Sequence, residues 1–241
     1  MNIALIKAGG IGSRMKARVP KQFICVQDKP IIIYTLEAFE RHPNIDAIVA
    51  VCVEGWDNIL RSYAEKFHIT KLVNIVKGGE TSLYSIKAGV EAIKAVYEPE
   101  DTVLIHDGNR PLLSQEIISD VLSQKAVHGS AVAAIPCTDE IMLTDGVHFQ
   151  SDRFMDRKTL YRIQTPDAYS LDTLCRIFDA ATEEQLHTLG ATNTLMIALG
   201  ETVHFAQGSE VNIRLTTQED ILLCESLLRI ANEKVGSCTN G

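Results

Sequence analysis

The sequence has no apolar run of membrane-spanning length, no C-x-x-C pair, no excess of positive charge and no repeat or low-complexity tract. The first absence argues against a transmembrane helix. The second argues against a zinc site, because Cys25, Cys52, Cys137, Cys175, Cys224 and Cys238 are scattered. Cys52 and Cys224 lie in apolar runs and are expected to be buried thiols, which suits a reducing cytoplasm. A net charge of −8 argues against a nucleic-acid partner, which is usually met by a basic surface. It leaves an anionic small substrate open, since local Arg and Lys decide that. The start, Met1-Asn2-Ile3-Ala4, reads as a strand, not as a charged segment leading into an apolar one, so no signal peptide is expected.

Two phosphate-loop patterns are also missing. A dinucleotide loop needs G-x-G-x-x-G, but Gly10-Ile11-Gly12 is followed by Ser13, Arg14 and Met15. No G-x-x-x-x-G-K-[ST] run exists either. What stands there instead is an apolar strand running into Ala8-Gly9-Gly10-Ile11-Gly12-Ser13-Arg14-Met15, then Pro20-Lys21-Gln22-Phe23. Glycines carry no Cβ, so backbone N–H groups in such a loop can approach a polyphosphate. Arg14 offers a planar fork for phosphate oxygens and Lys21 a compact charge. The plainer reading is a strand-to-helix turn with glycines for geometry and two solvated cations.

Apolar strand-like runs alternate with helical patterns. Strands are expected at 2–7, 47–53, 72–77, 102–106 and 130–135, and helices near 30–41, 56–67, 82–97 and 115–127. Ile48-Val49-Ala50-Val51-Cys52-Val53 is continuously apolar, as a parallel strand buried on both faces must be. Ile86, Val90, Ile93 and Val96 fall at helical spacing. The alternation predicts an α/β fold with a doubly wound, mostly parallel sheet, in one domain over residues 1–234. Ligands of such sheets bind outside the carboxyl ends of the strands. Gly9-Gly10 and His106-Asp107 fall there. Residues 139–164 are polar and charged, and read as a β-arm leaving the sheet. Thr216 or Thr217 is placed to cap a helix beginning at Glu219, and residues 235–241 read as a flexible tail.

The loop is joined by further motifs in order: Gly78-Gly79-Glu80 with Ser85, His106-Asp107 with Arg110-Pro111, Pro136 with Asp139, Gln164-Thr165-Pro166, and Asn212-Ile213-Arg214-Leu215-Thr216-Thr217 with Glu219-Asp220. Over nearly the whole chain this set resembles the nucleotidyltransferases that transfer CMP from CTP to polyol phosphates. The type members of that family use 2-C-methyl-D-erythritol 4-phosphate or ribitol 5-phosphate. The resemblance implies a Rossmann-like nucleotidyltransferase fold and a catalytic set of Arg14, Lys21 and Arg214. It also implies nucleotide contacts from Ala8, Gly9, Gly10, Gly12, Gly79, Glu80, Ser85 and Asp107. Contacts to the acceptor would come from Asp107, Arg110, Arg157, Thr165 and Thr192. It implies magnesium held mainly by the CTP phosphates, no metal-ligating residues of the protein's own, and a homodimer in which Arg157 reaches the neighbouring site. Ser85 also reads as an ordinary small helix residue, and Glu80 as an acid favoured at a helix start.

The chemistry fits the residue types. A phosphate oxygen attacking the α-phosphorus of CTP is already an anion, so the site needs cations and backbone N–H groups rather than a base. Arg214 stands where the family usually has Lys. Asn109, Glu140 and Asn193 also depart from its pattern, the last two on the polyol side. Three features look more like the ribitol 5-phosphate enzymes of the family: the connection Ala181-Thr182-Glu183-Glu184-Gln185-Leu186, the Ala8-Gly9-Gly10 form of the loop, and Gln164 before Thr165-Pro166. The alternatives are 2-C-methyl-D-erythritol 4-phosphate as acceptor, or a nucleotide-binding protein without turnover.

Overall fold

The structure is a computed structural model and describes residues 1–10 and 19–238, with side chains to Ile230. Arg14 and Gly12 lie outside the described residues.

In chain order the elements are β1 (Asn2–Ala8), β2 (Cys25–Val26), β3 (Lys29–Pro30), α1 (Ile31–Arg41), β4 (Ala47–Cys52), α2 (Asp57–Lys66) and β5 (Leu72–Lys77). Then come α3 (Ser82–Lys94), β6 (Thr102–Asp107), α4 (Gln115–His128), β7 (Ser130–Pro136), β8 (Ile141–Leu143), β9 (Arg153–Met155) and β10 (Tyr161–Ser170). The chain ends with α5 (Leu171–Ala180), α6 (Glu183–Thr188), α7 (Thr192–Ala198), β11 (Phe205–Gln207) and α8 (Gln218–Cys238).

The central sheet has seven strands in the order β11-β7-β10-β6-β1-β4-β5. All are parallel except β10, which runs antiparallel to both β6 and β7. The doubly wound, mostly parallel sheet expected from the sequence is therefore present. Apolar side chains of β1 alternate between two layers, as strand geometry requires. Ala4 and Ile6 pack with α1, α2 and α4, while Ile3 and Leu5 pack with α3, α5 and α7. Gly89 brings α3 close to the sheet: a Cβ there would come within 2.4 Å of Leu5 Cδ1. Ser114 caps α4, and Gly129, at φ 83°, closes it in the left-handed conformation that glycine tolerates.

The chain winds outward from β1 in both directions, through β4 to β5 on one side and to β6 on the other. The carboxyl ends of β1 and β6, adjacent strands whose connections diverge, form the switch point where α/β sheets bind ligands.

Several expectations change. The expected arm at 139–164 overlaps β10, because Tyr161, Arg162 and Ile163 pair with Pro136, Ile135 and Ala134 in the central sheet. What remains is a two-stranded ribbon of β8 and β9, whose residues are all exposed. Val96 lies beyond the end of α3 and is exposed. The helix expected from Glu219 begins at Gln218, with Thr217 Oγ1 accepting from Asp220 N at 3.3 Å and Asp220 Oδ2 accepting from Thr217 N at 2.8 Å. It continues through Cys238, so residues 235–238 are helical rather than part of a flexible tail. No glycine or proline interrupts residues 218–235, which lets the helix run on. No helix among the described residues is long and apolar enough to cross a membrane.

Candidate active site

A cleft of about 400 Å³ opens at the switch point. Its lining includes Ala8, Gly9, Gly10, Lys21, Gly79, Glu80, Ser85, Asp107 and Arg214, so nine of the residues expected from the sequence converge on one site. Local structure explains how. β1 ends at Ala8 and delivers Gly9 and Gly10 to the rim. Gln22, buried in a 3-10 turn over Lys21–Phe23, donates from Nε2 to the Ala8 carbonyl at 2.5 Å and ties the Lys21 segment to that strand end. Phe23 packs on Trp56 with ring centroids 4.7 Å apart. The third wall is the start of α3, capped by Thr81, whose hydroxyl donates to the Leu186 carbonyl at 2.8 Å. Ser85 Oγ accepts from Gly79 N at 3.1 Å and sits against Gly9 and Gly78, where a Cβ on either glycine would come within 3.2 Å of it. The lack of a Cβ at those glycines leaves room for this close approach.

Asp107, at the end of β6, is the electrostatic centre. Its Oδ1 lies 2.9 Å from Lys7 Nζ, and its Oδ2 lies 3.2 Å from Arg110 Nε and 3.9 Å from Arg214 Nη1. Burial opposes its charge, but Lys7 and Arg110 win and hold the carboxyl far below the usual carboxylate range. It is ionised at any physiological pH.

Arg110 and Thr165 do not line the cleft; they support it. Arg110 is buried and donates from Nη1 to the Asn212 carbonyl at 2.6 Å as well as to Asp107. Thr165 Oγ1 accepts from Asp107 N at 3.1 Å and meets His106 Nδ1 at 3.0 Å. His106 is held from its other side by the Arg110 carbonyl at 3.2 Å, and burial pushes its pKa down to about 4, as befits a neutral scaffold residue. Asn212 Nδ2 donates to Gln164 Oε1 and the Thr165 carbonyl, and Asn109 Nδ2 donates to the Leu215 carbonyl. These bonds fix the segment that presents Arg214.

Thr192 is buried at the start of α7, away from the lining, with no partner for its hydroxyl among the described residues. Arg157 is exposed, follows β9, and pairs with Glu140 at 3.1 Å instead of reaching this cleft. Sequence reasoning missed Lys7, Gln22, Thr81 and Ser82 as lining residues. Lys7 left one signal, as the lone charge in an apolar strand just before the glycines.

Asp167 lies nearby in β10, buried and accepting from Tyr169 OH at 3.0 Å. Burial pushes its pKa up to about 7. An unfolded Asp titrates near about 4. Folding therefore loses stability as pH rises from about 4 to about 7, and the loss levels off above that. Replacing Asp167 with Asn keeps an acceptor for Tyr169 and removes the charge. The melting temperature of Asp167→Asn is expected to exceed wild type by more at pH 8 than at pH 4. Equal differences at both pH values would contradict this.

The family model described as 2-C-methyl-D-erythritol 4-phosphate cytidylyltransferase (IspD) matches residues 2–230. A ribitol-5-phosphate cytidylyltransferase of Lacticaseibacillus paracasei is 39% identical over 231 residues, covering 95% of this chain and 98% of its own. A 2-C-methyl-D-erythritol 4-phosphate cytidylyltransferase of Clostridium acetobutylicum is 34% identical over the same shares of the two chains. The crystal structure of 4-diphosphocytidyl-2C-methyl-D-erythritol synthase from Anaerococcus prevotii superposes with a TM-score of 0.77 at 24% identity, over 95% of this chain and 98% of that one.

Proposed function

The chain belongs to the 2-C-methyl-D-erythritol 4-phosphate cytidylyltransferase (IspD) family and is a cytidylyltransferase; from its ribitol-named relatives we propose that its acceptor is ribitol 5-phosphate. The reaction would form a bond between an acceptor phosphate oxygen and the α-phosphorus of CTP. The bond from that phosphorus to the β-phosphate oxygen breaks, and pyrophosphate leaves with the electron pair. No proton has to move from the nucleophile. The carrying observation is that Lys21 and Arg214 meet the glycine backbone of residues 9 and 10 in one cleft beside Asp107. Cations and N–H groups preset around a developing phosphoryl charge are the main catalytic device such chemistry needs.

Three relatives between 33% and 39% identical carry the ribitol name, which supports that acceptor. The connection singled out in the sequence as resembling the ribitol enzymes forms α6, held by a Thr182–Gln185 capping box. Cytosine would be read at the Gly79–Ser85 wall. Magnesium would come with the triphosphate, where it would neutralise phosphate charge beside Asp107 on the cleft floor. A reducing cytoplasm is supported by the free thiols of Cys25, Cys52, Cys137, Cys175 and Cys224. A homodimer is supported by the ribbon, where Met142, Phe149 and Phe154 stand exposed and Arg157 pairs with Glu140, outside the described cleft lining.

The test is pyrophosphate release with each nucleoside triphosphate and each acceptor. Turnover is expected with CTP and ribitol 5-phosphate, and lower turnover with UTP or with 2-C-methyl-D-erythritol 4-phosphate. Preference for the methylerythritol substrate would overturn the acceptor. Equal turnover of UTP would overturn the reading of the base.

A further inference from the structure

Lys7 is the only charged residue of β1. Strand register sets it opposite Asp107 on β6, on the sheet face shared with Ile3 and Leu5. Both side chains are largely buried, 15% and 10% exposed, yet both line the cleft. Arg110 already compensates the Asp107 carboxylate from beneath. Lys7 also balances the buried Asp107 charge and faces the buried Asp167, at a desolvation cost that offsets much of the attraction. Because it lines the cleft as well, it is placed to serve a ligand.

We propose that Lys7 is a specificity-determining residue which, paired with Asp107, reads two hydroxyls on adjacent carbons of a substrate. The ammonium has three N–H groups and directs one to Asp107 Oδ1 at 2.9 Å. Each carboxylate oxygen can accept a further bond. The pair thus presents a donor and an acceptor side by side. That is the complement of a vicinal diol, in which one hydroxyl donates to Asp107 and its neighbour accepts from Lys7. Asp107 also keeps the ammonium aimed, since its own charge is fixed. Two substrates of the proposed reaction carry such a diol: the ribose of CTP and the polyol chain of the acceptor. The inference rests on that reaction.

The test compares wild type with Lys7→Met and Lys7→Gln. Each is assayed for pyrophosphate release with CTP, 2′-deoxy-CTP and 3′-deoxy-CTP, and with ribitol 5-phosphate and its monodeoxy analogues. In wild type, one deoxy analogue should lose about tenfold or more in kcat/KM, because buried polar groups are left unpaired. In the Lys7 variants that penalty should fall to about twofold or less, the mark of coupling between the residue and that hydroxyl. Collapse on a deoxy-CTP assigns the ribose, and collapse on a deoxy acceptor assigns the polyol. Unchanged penalties in the variants, or no penalty in wild type, would overturn the proposal and leave Lys7 a counter-ion. Loss of fold shows as a fall in melting temperature, which a purely structural role would cause without altering the ratio of analogues. If wild type releases no pyrophosphate with any acceptor, the proposed function fails. The same ratios taken as calorimetric affinities then decide the role of Lys7.

Discussion

Lys21→Ala is expected to lower kcat for CTP-dependent pyrophosphate release by about two to three orders of magnitude, with the fold intact. The attacking phosphate is already an anion, so there is no general base whose loss would matter more. The barrier comes from bringing negative charges together and building more on the α-phosphoryl group. Lys21 is held at the cleft by a rigid attachment, its turn pinned by Gln22 to the end of β1. That preset position costs no reorganisation during the reaction, which is why one such contact carries so much of the rate. Arg214 is attached through a longer chain of bonds from Asn109 and Asn212, and its side chain is 55% exposed. Its replacement by Ala should cost less. A folded Lys21→Ala protein turning over near the wild-type rate would remove Lys21 from the mechanism. Lys21→Arg should recover little, since a planar fork does not replace a compact ammonium.

The strands that were legible in the sequence are those buried on both faces. β4 and β6 are buried at every residue, and β1 nearly so, hence the wholly apolar β4 and the apolar centres of β1 and β6. β10 was not legible. It starts with three exposed residues in a polar stretch, and Pro166 lies where its pairing with β7 shifts register between Ile163 and Asp167. A proline argues against a strand unless a bulge accommodates it, and the sequence does not reveal the bulge. β11 is three residues long and carries too little pattern. The site divides in the same way. Glycine spacing and the ends of strands reveal where a ligand binds. They do not reveal which way a side chain points. Arg110 and Thr165, read as substrate contacts, are buried and hold Asp107, a support role that spacing does not reveal. Lys7 stood only as the last residue of the expected strand 2–7, although it lines the cleft.

Arg157 supplies the second large effect. Its guanidinium pairs with Glu140 and bonds the Thr138 carbonyl at 3.3 Å, and it is not part of the cleft lining among the described residues. An arginine that serves an anionic substrate from there must serve another chain's site. The ribbon beside it leaves Met142, Phe149 and Phe154 exposed, apolar surface that a second copy would cover. Paired ribbons about a two-fold axis would make an isologous contact, the commonest closed assembly. Arg157→Ala is then expected to raise the KM for the polyol phosphate about tenfold or more, while CTP affinity stays near wild type. Lys21→Ala and Arg157→Ala proteins, each impaired alone, should complement when mixed under conditions of subunit exchange. In an equal mixture, about half the dimers are hybrids, and one of the two sites in each hybrid draws intact Lys21 and Arg157 from different chains. Recovered activity should approach about a quarter of wild type. No recovery despite exchange shown by differently tagged chains would place Arg157 outside the reaction. A fully active monomer would do the same, because a single chain keeps Arg157 with Glu140 and away from the cleft.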